Sequence, residues 1–236
     1  MRRSSNPFAA CAVAATVLAA CTAGFPSTAR ADSAVQLYST GSNVAIPGQG
    51  VTLVHAAPGS SRVLARVRAR TALGSPTRLA VLGVAGEWLV VIPEALGNRV
   101  RGFVHRSKVR LVHDPFSLEV DRSARRLTVW RMGVALRHFS VGVGRAISPT
   151  PLGRFAITDK LENFMPSIYG CCILALSGRQ PNLPQGWSGG DRLAIHGSPT
   201  PTWGEAVSNG CLHADEADLR YLMGRVPLGT YVRVHA

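Results

Sequence analysis

Apolar and polar positions alternate with a period of two along much of this chain, the spacing of half-buried strands. Val63, Ala65, Val67 and Ala69 alternate with Leu64, Arg66, Arg68 and Arg70. Further strands are predicted at 87–92 and at 100–105, the second following the turn residues Gly97 and Asn98. His113-Asp114-Pro115 marks a boundary, because proline disfavours helical conformation in the residue before it. Beyond it, strands are predicted at 117–121, 125–131, 134–141 and 154–158, with tight turns at 122–124 and 132–133. An apolar strand up to Leu176 and a last strand at 230–234 extend the series. Helical spacing replaces this pattern once, over about 215–224. There Asp215 suits the N-cap, Glu216 and Asp218 the first turn, Leu219, Leu222 and Met223 one face, and Gly224 the C-terminal stop. The second half is therefore expected to be mainly β with one helix, a mixed sandwich or barrel-like body.

Residues 1–31 stand apart. Arg2 and Arg3 precede an apolar run over 8–20, the layout of a bacterial secretory signal, and the run is too short to span a bilayer. Two exits are written into it: Leu18-Ala19-Ala20-Cys21 resembles a lipoprotein cleavage box, and Ala29-Arg30-Ala31 fits ordinary signal peptidase. Either predicts export to the cell envelope, periplasm or wall, and the first adds a lipid anchor at Cys21. Residues 32–50, rich in Ser, Gly and Ala, read as a linker. Residues 51–112 form a first unit with ten basic residues against Glu87 and Glu94, and 113–236 a second. The first unit loosely resembles a bacterial SH3-like β-barrel, in which Gly102-Phe103-Val104 would stand for the usual Gly-Trp-Val ending; the resemblance implies docking to wall material or a spacer role.

Charge sharpens this picture. The formal net charge is +13, and removal of 1–31 takes three arginines and no acids, leaving 23 basic and 13 acidic residues. Lys108 and Lys160 are the only lysines. In a cytosolic protein such a balance would suggest nucleic acid. Behind an export signal it points instead to anionic envelope polymers or lipid head groups, with an arginine-rich solvated surface as the plain alternative.

Few residues offer chemistry. Gly142-Val143-Gly144 lacks the third glycine and following helix of a dinucleotide loop. The histidines and cysteines show no CxxC or HxxxH spacing, so no metal is expected. Adjacent Cys171 and Cys172 are expected to pack rather than pair, since sequence neighbours rarely form an unstrained disulfide. Cys211 differs. Ser208, Asn209 and Gly210 are turn formers that place it at a bend, and the predicted helix follows closely, its positive end favouring a thiolate. His196 follows the apolar Leu193-Ala194-Ile195 at a strand end. If the two loops converge, His196 can take the thiol proton, and backbone N–H groups from Asn209 to Cys211 can hold an oxyanion. The alternative is a structural cysteine with an incidental histidine.

These residues resemble the signature of the YkuD-type L,D-transpeptidase catalytic domain: a His-Gly pair, a variable loop, then Ser-His-Gly-Cys, a hydrophobic residue and usually arginine. This chain supplies His196-Gly197, fourteen intervening residues, and Ser208-Asn209-Gly210-Cys211-Leu212-His213. Val141-Gly142-Val143-Gly144 with Thr150-Pro151-Leu152-Gly153-Arg154-Phe155, and the closing Val226-Pro227-Leu228-Gly229-Thr230, extend the likeness over roughly 115–236. It implies that Cys211 attacks a donor peptidoglycan stem and expels terminal D-alanine, with His196 as base and Gly197 orienting it through its carbonyl. An acceptor amine then gives a 3-3 cross-link, or water an L,D-carboxypeptidase; a wall-binding pseudoenzyme is the remaining alternative. No cofactor is implied, and carbapenems become candidate inhibitors. Tyr169 and Trp203 are candidate substrate walls. Asn209 and His213 depart from the pattern, one unable to carry a proton at neutral pH and the other replacing a permanently charged arginine. His213 is therefore expected to make substrate grip weaken as it deprotonates, between about pH 5.5 and 7.5.

Overall fold

A computed structural model describes residues 41–98, 101–162 and 167–236. The expected signal, its two cleavage sites and most of the expected linker lie outside these residues. The first unit is one seven-stranded sheet: β1 (Ser42–Pro47), β2 (Thr52–His55), β3 (Val63–Val67), β4 (Leu79–Ala85), β5 (Trp88–Ile92), β6 (Gly102–His105) and β7 (Val109–Asp114), in the order β3-β2-β6-β5-β4-β1-β7. β1 corrects the sequence reading, which placed 42–47 in a tether. Val44 and Ala45 are buried there, and the strand pairs with both β4 and β7. Its Ser- and Gly-containing flanks resemble a linker in composition, while the apolar burial that makes it a strand comes from distant partners.

Pro115 carries the chain into the second unit. Its strands are β8 (Phe116–Asp121), β9 (Arg126–Arg131), β10 (Val134–Ser140), β11 (Val143–Gly144), β12 (Gly153–Glu162), β13 (Cys172–Arg179), β14 (Arg192–His196), β15 (Ala206–Ser208), β16 (Leu212–His213) and β17 (Tyr231–His235). Eight form one sheet, β10-β9-β8-β17-β12-β13-β14-β16, while β11 and β15 pair separately. Two joints are parallel, β17 with β8 and β14 with β16. Tight turns fall where expected, with Arg125, Met132 and Gly133 at positive φ.

The one α-helix among the described residues, α1 (Glu216–Arg225), is capped by Asp215, whose Oδ1 accepts from Ala217 N at 2.8 Å. It packs on β13 through buried Leu219 and Leu222. Gly224 lies inside the helix rather than ending it. Pro227, two residues past Arg225, cannot continue the N–H ladder and supplies the stop. The main core fills the space between α1 and the second sheet, with Leu118, Val129, Phe155, Leu174, Ile195 and Leu212 among its members.

The two units share surface. Ala80 and Ile92 pack with Ala156 and Tyr231, and Asn98 makes a reciprocal pair with the Arg179 backbone, Nδ2 to O at 2.6 Å and N to Oδ1 at 2.7 Å. At the joint, buried Asp114 accepts from Phe116 N at 2.9 Å and from Thr230 Oγ1 at 2.6 Å. Asp114→Ala leaves both donors without that acceptor and is expected to cost about 1–3 kcal/mol of unfolding free energy. Asp114→Asn, which can still accept, should cost less. Urea denaturation of the three proteins measures the order, and an Ala variant as stable as the parent would refute it.

Candidate active site

Parallel pairing of β14 with β16 builds the site. Ile195 faces Leu212 and His196 faces His213, so Cys211, one residue before Leu212, comes level with Ala194 in the middle of β14. Its Sγ donates to the Arg192 carbonyl at 3.7 Å. Cys211 and His196 line one cavity of about 410 Å³, together with Tyr169, Ser208, Asn209 and His213.

The bend that presents Cys211 is held from below. Ser208 Oγ donates to Cys211 O at 2.6 Å and accepts Gly210 N–H at 3.0 Å. Gly210 N–H is thereby committed, so it is not one of the oxyanion donors expected from this loop. Gly210 has φ +117°, and a Cβ there would lie 2.1 Å from Gln180 Nε2, so both conformation and space require glycine. Gln180 is the buried hub: its amide donates to the carbonyls of Ser148, Pro149 and Asn209 at 3.0–3.2 Å, and its Oε1 accepts Asn182 N–H. Thr150 adds a second tie, accepting Gly144 N–H and donating to Gly210 O, both at 2.9 Å. Asn209 lines the cavity with its Oδ1 buried and without a hydrogen-bond partner.

His196 is 7% exposed, and its Nδ1 lies 2.6 Å from Gly197 O. A carbonyl only accepts, so Nδ1 carries the hydrogen and Nε2 keeps a lone pair. The Gly197 carbonyl is thus the partner that fixes the His196 tautomer. Gly197 N–H donates to Tyr169 O at 2.8 Å, and a Cβ on Gly197 would come 2.8 Å from Gly170 Cα, so the two backbones cross too closely for a side chain. This crossing sets Tyr169 edge-on against the imidazole, ring centroids 4.9 Å apart. On the other side His213 lies 4.9 Å away, its own Nδ1 2.8 Å from Thr202 Oγ1. Trp203 is half-buried and is not part of the cavity lining.

Electrostatics correct one expectation. Burial pushes the Cys211 thiol up to about 11, partly offset by a hydrogen bond from the Ala194 backbone. The helix beginning at Glu216 does not reverse this, and its N-terminus is already capped by Asp215. Burial first, then His213, lowers His196 to about 4, against the Gly197 hydrogen bond, which raises it. At neutral pH the resting pair is therefore a neutral thiol beside a neutral imidazole. Burial also lowers His213, so it is not the cationic stand-in for arginine that would grip a carboxylate around neutral pH.

Several site residues carry no local sequence signal. Leu73 reaches the cavity from the first unit, and Gln180 and Arg192 act through partners far away in sequence. Cys171 and Cys172, expected to stay unpaired, are joined in a disulfide. Among the described residues no group of three or more His, Cys, Asp or Glu is placed to hold a metal ion.

Residues 115–234 match the family model for the L,D-transpeptidase catalytic domain, YkuD. Two curated relatives named for L,D-transpeptidase YkuD align with the chain, from Bacillus licheniformis (27% identity over 121 residues) and Bacillus subtilis (28% over 122). Each alignment covers 51% of this chain and 66% of the relative, a little under two thirds of its length. Among solved structures, an Enterococcus faecium L,D-transpeptidase mutant aligns at TM-score 0.42 and 18% identity, covering 70% of this chain and 71% of that one. The Mycobacterium smegmatis L,D-transpeptidase aligns at TM-score 0.43 and 18% identity, covering 65% and 80%. With the family model spanning half of its length, the chain belongs to the YkuD family of L,D-transpeptidase catalytic domains.

Proposed function

We propose that the chain is an exported envelope enzyme that exchanges acyl groups on peptidoglycan stem peptides through Cys211. The observation that carries this reading is the pairing, in one cavity, of a thiol with an imidazole whose Nδ1–H is fixed on Gly197 O. His196 Nε2 takes the Sγ proton as sulfur adds to the carbonyl of the donor stem's third residue. The tetrahedral oxyanion collapses, the C–N bond to terminal D-alanine breaks, and His196 returns the proton to the leaving amine. An acceptor amine then adds to the thioester, loses its proton to His196 and expels the Cys211 sulfur, which recovers that proton. The result is a 3-3 cross-link.

Neutral partners suit this sequence of steps. Charge separates only as the thiol proton moves, leaving imidazolium and sulfur within one cavity. Asn209 Oδ1, without an internal partner, is positioned to accept a stem-peptide N–H. Tyr169 restrains the imidazole from one side and walls the cavity.

Two outcomes test this. Purified protein incubated with tetrapeptide stems should release D-alanine, and with a carbapenem should gain a covalent adduct on Cys211, both read by mass spectrometry. Cys211→Ala should abolish both, and His196→Gln should slow them by about 10²–10⁴-fold. Product carrying water instead of an acceptor amine would replace cross-linking by hydrolysis; parent and Cys211→Ala behaving alike would end the enzyme reading.

The pH profile is the second test. With His196 at about 4 and Cys211 at about 11, the rate of Cys211 acylation should stay level across the neutral range and fall only as pH approaches 4. An acid limb centred on the ordinary histidine value of 6.5 would show an unperturbed His196, and a tenfold rise per unit through about pH 8–9 would show that free thiolate rather than the neutral thiol reacts. Stability should follow the same group. Unfolded His196 takes its proton near 6.5 and folded His196 only near 4, so the stability it contributes is present above 6.5 and lost as pH falls towards 4.

A further inference from the structure

A second cavity, about 370 Å³, lies where the 71–72 stretch of the first unit meets the second unit. Its rim carries Arg66, Arg68, Arg70, Arg78 and Arg179, against a single lining carboxylate, Glu94. That carboxylate is already paired with Arg192, and Arg179 is paired with Asp191 at 2.5 Å. Among the described residues no carboxylate pairs with the other four. Arg70 donates only to Gly74 O at 2.6 Å and Arg78 only to Thr77 O at 3.0 Å. Arg78 is further crowded by the like charge of Arg110, which together with burial lowers its pKa.

We propose that this cavity binds a strand of an anionic phosphodiester polymer that carries no bases. β3 ends at Val67, but the alternation in exposure continues past it, so Arg66, Arg68 and Arg70 recur as exposed positions at every second residue with half-buried Val67 and Ala69 between them. Such a row offers one guanidinium per repeat to a linear polyanion, and guanidinium binds phosphate oxygens in a bidentate fork. Beneath the rim the floor is apolar, with Val67, Leu79, Ile92 and Ala95. The Thr71 and Thr158 hydroxyls are engaged with Asp159 and with Ala175 O. A chain alternating short hydrocarbon and phosphate units fits this floor, whereas a polypeptide anion would bury amides there without partners. The lining holds no aromatic ring on which bases could stack, which disfavours single-stranded nucleic acid, and its concavity disfavours a flat lipid surface. The strand would run beside the catalytic cavity, since Thr71 and Ala72 line one and Leu73 the other.

Calorimetric titration of the full chain with poly(glycerol phosphate), in low and in moderate salt, tests the proposal independently of catalysis. Binding should weaken as salt rises and drop at least tenfold in Arg66→Ala/Arg68→Ala, two exposed positions whose thermal melt should match the parent. Arg106→Ala/Lys108→Ala removes the same charge from another exposed site of the same unit and should change affinity less than twofold. Inorganic phosphate should bind far more weakly than the polymer. Equal loss in both double variants, or binding of poly-L-glutamate, an oligonucleotide or anionic vesicles as tight as that of poly(glycerol phosphate), would overturn it.

Discussion

One arginine fixes the geometry on which the site depends. Arg192 opens β14, and its guanidinium and Nε reach Glu94 in the first unit, Thr158 Oγ1 at 2.6 Å, Asp159 at 3.3 Å and the Leu176 carbonyl. Its own carbonyl accepts from the Cys211 thiol. Asp159 is fully buried, and a buried carboxylate must be matched by a countercharge or it protonates. Pairing with it therefore holds in place the first residue of the strand that carries His196. The planar fork serves several acceptors at once, a geometry that a lysine ammonium cannot reproduce.

From that anchor the remaining parts of the site follow by close approach. β14 carries its register to His196, the parallel pairing sets β16 beside it, and glycines at 170, 197 and 210 admit the backbone and amide contacts that side chains would block. Cys211 and His196 are held by hydrogen bonds to main-chain atoms rather than by ionic partners. This explains why burial, and not a neighbouring charge, dominates the displaced acidities of both Cys211 and His196.

Much of this was legible in the chain. Alternating apolar positions marked most strands, Asp215 marked the helix start, and Ser208-Asn209-Gly210 marked a bend leading into Cys211. What escaped reading depends on long-range partners. Ser42–Pro47 looks like linker until β4 and β7 close on it. Gln180 and Arg192 have ordinary sequence surroundings, and their importance lies in acceptors 16–98 residues away in the chain. The acidity of Cys211 was misjudged for a related reason: proximity to a helix start is visible in sequence, whereas enclosure by Ala194 and Arg192 is not.

The loop that carries Leu73 has an architectural consequence. Residue 115 opens the segment shared with the family, yet one wall of the cavity that holds Cys211 and His196 and one counter-ion of Arg192 belong to the chain before it. The two halves are therefore not interchangeable cassettes. Exchanging the first for that of a relative would alter which side chain closes the cleft and which charge balances β14, so divergence in the first half can reshape the cavity while leaving Cys211 and His196 untouched.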